Sequence, residues 1–122
     1  MSHAPLRTVV VDSSESFVAV TEKWLARRSE VIVVGHAYSG AEARKAVDRL
    51  NPELIVLDAT LPGIEGFRLV LEWKARTAAP RVVLSMSDAS DAARRAAFAA
   101  GADAFLRKEA FAAEMDLLLR SL

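Results

Sequence analysis

The chain contains no cysteine, so disulfide bonds, thiol catalysis and thiolate metal sites are excluded. It also lacks any run of about 18 apolar residues, and its first residues lack the apolar core of a signal peptide. Positive charge is not in excess, because 16 Lys and Arg balance 16 Asp and Glu. A surface dedicated to nucleic acid or membrane needs such an excess. We therefore predict a cytoplasmic domain that binds neither nucleic acid nor membrane directly.

Residues that interrupt helices and strands are few, with 5 glycines and 4 prolines, and no repeat or linker is present. Short β-branched runs alternate with amphipathic segments, which indicates a parallel sheet with helices on both faces. At 122 residues the chain is too short for an eight-stranded barrel. We therefore predict an α/β fold, an open, doubly wound sheet of five parallel strands with five helices. The predicted strands are Arg7–Val11, Val31–Val34, Leu54–Leu57, Val82–Leu84 and Ala104–Leu106.

Apolar residues at helical spacing predict which face of each helix is buried. Gly101 is expected to end the fourth helix, which is predicted from about Ala89 to Ala100. The residues predicted to face inward from the other helices are Phe17, Val20, Trp24 and Leu25; Ala43, Ala46, Val47 and Leu50; Phe67, Val70 and Leu71; and Phe111, Met115, Leu118 and Leu122.

A polar residue ends or follows four of the predicted strands. Asp12 closes the first, Asp58 the third and Ser85 the fourth, and Lys108 follows the fifth. Taken singly, each has a structural explanation as a helix cap, a turn former or a solvated lysine. In a parallel sheet, however, all the carboxyl ends lie on one edge, so these residues converge. Two carboxylates, a hydroxyl and an ammonium are the groups needed to bind a divalent cation and a phosphoryl group together.

Three segments carry a family resemblance, and they occur in the family's order with its spacing. They are Pro52–Gly66, Val82–Ser85 and Gly101–Lys108. Together they resemble the receiver domains of two-component response regulators, and the similarity extends from Arg7 to about Ser121. The resemblance implies a flavodoxin-like sheet with the strand order 2-1-3-4-5. Residues 1–122 are thus interpreted as a single receiver domain.

The resemblance also assigns roles to the residues at the strand ends. Asp58 would accept a phosphoryl group from a phosphohistidine on a partner histidine kinase or phosphotransfer protein. Asp12, Asp58 and the backbone carbonyl of Thr60 would hold Mg²⁺. Lys108 would pair with one phosphoryl oxygen, and Ser85 would donate a hydrogen bond to another. A domain of this kind catalyses only its own phosphorylation and is a signalling module, not an enzyme with a separate substrate.

Phe105 would be the aromatic switch of such a domain. Its movement would change the surface of the fourth helix, fifth strand and fifth helix, which would contact an output domain, another protein or a second copy of the chain. A plain core aromatic is an equally good interpretation of Phe105. Thr60 and Ser87 each lie two residues beyond a site residue, at positions that tune the lifetime of the phosphoryl group in the family.

The sequence departs from the family pattern at three positions. Ser13 replaces the second of two adjacent acidic residues, so we expect weaker Mg²⁺ binding, with Glu15 as a candidate to compensate. Met86 replaces a small residue and could crowd the phosphoryl group. Glu109 stands where many receivers have proline, as in receivers attached to helix-turn-helix outputs. Either the domain acts alone, or an output domain follows Leu122.

Three other functions are compatible with parts of the pattern. A flavodoxin-like electron carrier would need a glycine in its phosphate loop, and none occurs between Asp12 and Gly35. An aspartyl phosphatase would have an acid where Thr60 stands. The third alternative is a degenerate receiver that binds proteins without being phosphorylated, and it is favoured by Ser13 and Met86.

Overall fold

The computed structural model describes residues 4–61, 66–87 and 90–121. Within them, five parallel strands form one sheet in the order β2-β1-β3-β4-β5, as predicted. None of the helices in these ranges is long and apolar enough to cross a membrane. The elements are β1 (Leu6–Val11), α1 (Glu15–Leu25), β2 (Val31–Ala37), α2 (Gly40–Leu50), β3 (Leu54–Asp58), α3 (Gly66–Lys74), β4 (Arg81–Met86), α4 (Asp91–Ala99), β5 (Ala104–Arg107), a short 3-10 helix (Lys108–Ala110) and α5 (Phe111–Arg120).

The sheet separates two apolar cores, and helices cover both of its faces. Helices α2, α3 and α4 pack on one face, and α1 and α5 pack on the other. The central strand β3 is buried along its whole length, which explains its uninterrupted apolar sequence. Alternate residues along a strand face opposite sides. Ile55 and Leu57 thus belong to the first core, whereas Leu54 and Val56 belong to the second.

The helix ends follow the local chemistry of the sequence. Ser14, Ser39 and Ser90 precede α1, α2 and α4, and each accepts a hydrogen bond from a backbone N–H in the first turn. Asn51 ends α2 in a left-handed conformation. Gly101 follows α4 with φ +105°, which confirms its predicted role as the helix stop.

Two residues predicted to face inward are exposed. Val20 is 67% exposed and Leu71 is 57% exposed, so these two predictions are wrong. In α1 the buried positions are Val18, Thr21 and Leu25. Val20 precedes Thr21 by one residue, which is about 100° around a helix. A prediction based on apolar residues alone therefore assigned Val20 to the buried face, whereas the structure buries its neighbour Thr21.

Strand β2 is longer than predicted, because it continues through Gly35 and His36 to Ala37. It lies at the edge of the sheet and its burial is partial, so it lacks the continuous apolar pattern of a central strand. Several predicted features, namely Pro62–Glu65 of the loop after β3, Ala89 at the start of the fourth helix and Leu122, lie outside the described residues.

Candidate functional site

Two aspartates lie buried at the carboxyl edge of the sheet. Asp12 follows β1 and is 1% exposed, and Asp58 is the last residue of β3 and is 3% exposed. The two strands are neighbours, and Asp58 also pairs in register with Ser85 on β4. The fold therefore brings together two aspartates that lie more than forty positions apart in the sequence.

Lys108 supplies the positive charge between these carboxylates. Its Nζ atom lies 2.7 Å from Oδ2 of Asp12 and 3.3 Å from Oδ2 of Asp58. Its side chain is 21% exposed, so the ammonium reaches the pocket from the 3-10 helix that follows β5. Charge-assisted contacts of this kind are strong where water is largely excluded. The side chains of Asp12, Asp58 and Lys108 thus lie close together, as predicted.

Short turns hold both carboxylates in place. Oδ1 of Asp12 accepts a hydrogen bond from the backbone N–H of Ser14 at 2.9 Å. Oδ1 of Asp58 accepts two, from the backbone N–H of Thr60 at 2.9 Å and from its hydroxyl at 2.8 Å. In both aspartates Oδ1 is therefore fixed by the turn, and Oδ2 faces Lys108.

Ser85 lies beside Asp58 with its side chain buried. Its hydroxyl donates a long hydrogen bond of 3.5 Å to the backbone carbonyl of Leu57. Such a bond is weak, so little energy opposes the rotation of the hydroxyl toward a new acceptor. The chain beyond Asp58 is held by close packing, since a Cβ on Gly66 would lie 2.6 Å from Cα of Ala59.

The pocket carries more negative than positive charge, because two carboxylates share one ammonium. Carboxylate and carbonyl oxygens are the ligands that Mg²⁺ prefers, and one or two carboxylates are usual. No group of three or more acidic or histidine side chains suited to a metal occurs in the described ranges. Asp12 and Asp58 are therefore the carboxylates available to a cation here.

The remaining predicted residues lie around this pocket or away from it. Ser13 and Ser87 are exposed. Glu15 is also exposed at the start of α1 and forms no three-acid cluster with the two aspartates. Met86 is buried in the core on the face of α2 to α4, where it packs in the same cluster as Phe105. Since Ser85 precedes Met86 in the same strand, their side chains face opposite sides of the sheet.

Sequence reasoning missed one neighbour of the pocket. Phe17 on α1 was predicted only as a core residue, but its ring centroid lies 4.7 Å from Nζ of Lys108. An ammonium over an aromatic face is attracted by the ring quadrupole. The place of Phe17 in the first turn of the helix that follows Asp12 is the signal that could have indicated it.

This fold and this pocket define a class: a doubly wound α/β domain with an acidic, lysine-containing pocket at the carboxyl edge. The chain matches the family model of the response regulator receiver domain over residues 8–120. It therefore belongs to the receiver domain family of two-component signalling, as the sequence resemblance predicted.

Curated relatives contain a similar domain as part of a longer protein. The protein-glutamate methylesterase/protein-glutamine glutaminase of Rhizobium etli is 36% identical over 97 residues, which are 80% of this chain and 27% of that protein. The chain thus spans about a quarter of the length of the curated relatives it matches. The enzymatic part of those relatives lies outside the region that they share with this chain.

Solved structures share the fold. The signal receiver domain of the response regulator NarL from Mycobacterium tuberculosis has a TM-score of 0.85 at 24% identity and covers 98% of this chain and 100% of its own. A response regulator protein from Burkholderia pseudomallei has a TM-score of 0.80 at 26% identity, over 93% of this chain and 65% of its own. That protein contains a phosphorylated aspartic acid, a calcium ion and citrate.

Proposed function

We propose that Asp58 accepts a phosphoryl group from a phosphohistidine on a partner histidine kinase or phosphotransfer protein. The observation that carries this proposal is the buried pocket in which Lys108 lies between Asp12 and Asp58. Membership of a family of signalling phosphoacceptor domains supports it. The phosphorylated aspartic acid of the similar Burkholderia pseudomallei protein supports it further.

The hydrogen bonds of Asp58 favour one of its oxygens as the nucleophile. Thr60 donates two hydrogen bonds to Oδ1, which leaves Oδ2 as the less restrained oxygen. A bond forms from Oδ2 to phosphorus while the P–N bond to the partner's imidazole breaks. The imidazole leaves with that electron pair and takes a proton from solvent. Lys108, 3.3 Å from Oδ2, then attracts the oxygens of the incoming phosphoryl group.

Mg²⁺ fits this pocket, because the oxygen donors and the net negative charge of the pocket suit a hard cation. Asp12, Asp58 and the backbone carbonyl of Thr60 would hold it. The ion would offset negative charge on the transferring group. Ser13 supplies no charge, so we expect an affinity below that of a pocket with three carboxylates.

The phosphoryl group would alter the surface formed by α4, β5 and α5. Ser85 would rotate from the Leu57 carbonyl toward a phosphoryl oxygen, and Phe105 would respond through β5. In the structure Phe105 is buried, and the Arg94 guanidinium lies 6.0 Å from its ring centroid. Leu117 on α5 is 67% exposed, which gives this surface an apolar residue for a partner.

Residues 1–122 would act as one receiver unit whose partner at this surface is an output domain, another protein or a second copy. The relatives' greater length is compatible with an attached output domain. The interpretation of Glu109 as a mark of helix-turn-helix outputs stays a prediction.

A second function, protein binding without phosphorylation, is favoured by one observation. Ser13 is exposed and uncharged, and the described residues contain no three-acid cluster. A degenerate receiver of this kind would keep the fold and the α4, β5 and α5 surface but would not react with phosphodonors.

Mass spectrometry with phosphoimidazole as the donor distinguishes the two functions, since this donor contains the same P–N bond as phosphohistidine. We expect the wild type to gain one phosphate on Asp58 in the presence of Mg²⁺ and far less without it. Asp58→Asn should gain none.

Asp48→Asn is the matched control, because Asp48 is an exposed aspartate on α2 that pairs with Arg76, away from the pocket. It should be phosphorylated like the wild type. A wild type that gains no phosphate under any of these conditions would establish the degenerate receiver instead.

A further inference from the structure

The ammonium of Lys108 has a third partner besides the two carboxylates. Its Nζ atom lies 4.7 Å from the centroid of the Phe17 ring, within the range of a cation–π contact. The ammonium is therefore bounded by Asp12, Asp58 and an aromatic face. The ring's attraction persists whatever the charge state of the carboxylates, and it favours one position of a side chain with four rotatable bonds.

Other residues hold the Phe17 ring firmly. Phe111, the first residue of α5, packs edge-to-face against it with ring centroids 5.9 Å apart and planes at 80°. Phe111 is buried and packs in the same manner against Trp24, which lies about two turns further along α1, at 5.8 Å. Such aromatic pairs add stability beyond the area that they bury. The ring that meets Lys108 is thus wedged between two helices.

The turn that holds the Asp12 carboxylate also places Phe17. Asp12 accepts a hydrogen bond from the backbone N–H of Ser14, and the Ser14 hydroxyl accepts one from the backbone N–H of Phe17 at 3.2 Å. One short segment therefore sets both the carboxylate and the aromatic face that contact Lys108. We therefore expect a substitution of the ring to act on the pocket through the position of the ammonium.

We propose that Phe17 is a positioning residue for phosphoryl transfer: its ring holds the Lys108 ammonium over the pocket in readiness for the phosphoryl oxygens. This inference rests on the proposed function of Asp58. During transfer the ammonium must shift from the carboxylates to the new phosphoryl group. The ring keeps it beside the pocket and out of solvent during that shift.

Two substitutions at Phe17 test the ring itself. Phe17→Leu keeps an apolar side chain but removes the aromatic face, whereas Phe17→Tyr keeps that face. We expect the maximal rate constant for phosphorylation by phosphoimidazole to fall by about fivefold in Phe17→Leu, with little change in the donor concentration for half-maximal rate. Phe17→Tyr should retain most of the wild-type rate.

Trp24→Leu is the matched control, because it removes an aromatic ring from the same helix and from the same Phe111 partner. The Trp24 ring contacts the Arg28 guanidinium, at 5.4 Å, whereas the Lys108 ammonium contacts the Phe17 ring. We expect Trp24→Leu to lower stability but to leave the phosphorylation rate close to that of the wild type. An equal loss of rate in Trp24→Leu and Phe17→Leu would overturn the proposal, since it would indicate a general packing effect.

A second measurement needs no phosphorylation at all. Protons above an aromatic face resonate upfield, so the ε-methylene signal of Lys108 in NMR spectra should be shifted upfield in the wild type and in Phe17→Tyr, and should return toward its ordinary position in Phe17→Leu. An unshifted wild-type signal would refute the contact. If the signal is shifted but no variant is phosphorylated, the contact stands and the proposed function of Asp58 fails.

Discussion

Two buried carboxylates share the single ammonium of Lys108, which leaves Asp12 and Asp58 with one negative charge in excess. Burying a charge without a full partner costs free energy. Hydrogen bonds from Ser14 and Thr60 reduce that cost without removing it. At the scale of single residues, the proposed binding of a cation and the proposed reaction of Asp58 would each relieve this excess charge, whose burial lowers stability.

Asp58→Asn should consequently raise the stability of the protein. It leaves Lys108 with one carboxylate and keeps an oxygen for the Thr60 hydrogen bonds, so we expect the free energy of unfolding to rise by about 1 kcal/mol at neutral pH without Mg²⁺. Urea unfolding followed by circular dichroism measures this change.

The contrasting variant is Asp103→Asn. In the wild type the Asp103 carboxylate accepts hydrogen bonds from Lys74 and from the backbone N–H of Val82. The free energy of unfolding of Asp103→Asn should fall by about 1 kcal/mol, because the charge of Asp103 stabilises the fold through these hydrogen bonds. A loss of stability in Asp58→Asn similar to that in Asp103→Asn would mean that the pocket holds no excess charge.

Ser13→Asp should add a third carboxylate to the proposed cation site. We expect its dissociation constant for Mg²⁺ to fall by about tenfold, equivalent to about 1.4 kcal/mol, as measured by isothermal titration calorimetry. Ser29→Asp adds the same charge before β2, at the opposite edge of the sheet, and should leave Mg²⁺ binding unchanged. Equal effects of the two substitutions would point to bulk charge as the cause and not to a ligand at position 13.

At the scale of secondary structure, the helix caps divide into those that serve the pocket and those that do not. The Ser14 hydroxyl caps α1, and the Ser14 backbone N–H also donates a hydrogen bond to Oδ1 of Asp12. The Ser39 hydroxyl caps α2 by accepting a hydrogen bond from the backbone N–H of Glu42. Both hydroxyls accept one backbone N–H at 3.2 Å, so the caps are closely comparable.

Ser14→Ala and Ser39→Ala should each lower the free energy of unfolding by about 1 kcal/mol. The rate of phosphorylation should fall only in Ser14→Ala, because the start of α1 places both Asp12 and Phe17. Denaturation curves and labelling with phosphoimidazole on the same samples measure both effects. If Ser39→Ala slowed labelling as much, the cap of α1 would have no special link to the pocket.

At the scale of the whole molecule, ion pairs join segments that are distant in the sequence. Arg28 binds both Glu30, just before β2, and Asp116 on α5. Hydrogen bonds from Arg28 and from the Glu30 backbone hold the pKa of Glu30 below its usual value of 4.5. A lowered folded pKa stabilises the native state at pH values above the unfolded pKa, and this contribution is lost as the pH falls through the folded value.

Glu30→Gln should therefore make the loss of stability below about pH 4.5 less steep than in the wild type. Urea unfolding at a series of pH values from 7 to about 3 measures the slope. In an Arg28→Met background the same Glu30→Gln change should alter that slope less, because the hydrogen bond from Arg28 is the largest cause of the lowered pKa. An acid limb identical in the wild type and in Glu30→Gln would exclude this pair as a source of acid sensitivity.

Much of the fold could be predicted because its signals are local. The apolar run before Asp58 indicates a strand buried on both faces, the serines mark helix starts, and Gly101 marks a helix end. The errors at Val20 and Leu71 have the same origin, since a count of apolar residues does not fix the rotation of a helix about its axis. That rotation is set by the neighbouring sheet and helices.

The sequence by itself determined the order of the elements and the types of residue at the carboxyl edge, because alternation and strand ends are properties of neighbouring positions. Only the tertiary structure decided how the charges are shared: Lys108 lies closer to Asp12 than to Asp58, and the ring of Phe17 closes the third side. Those distances depend on how α1, the 3-10 helix and α5 pack together. Packing across such separations in the chain leaves no periodic mark in the sequence.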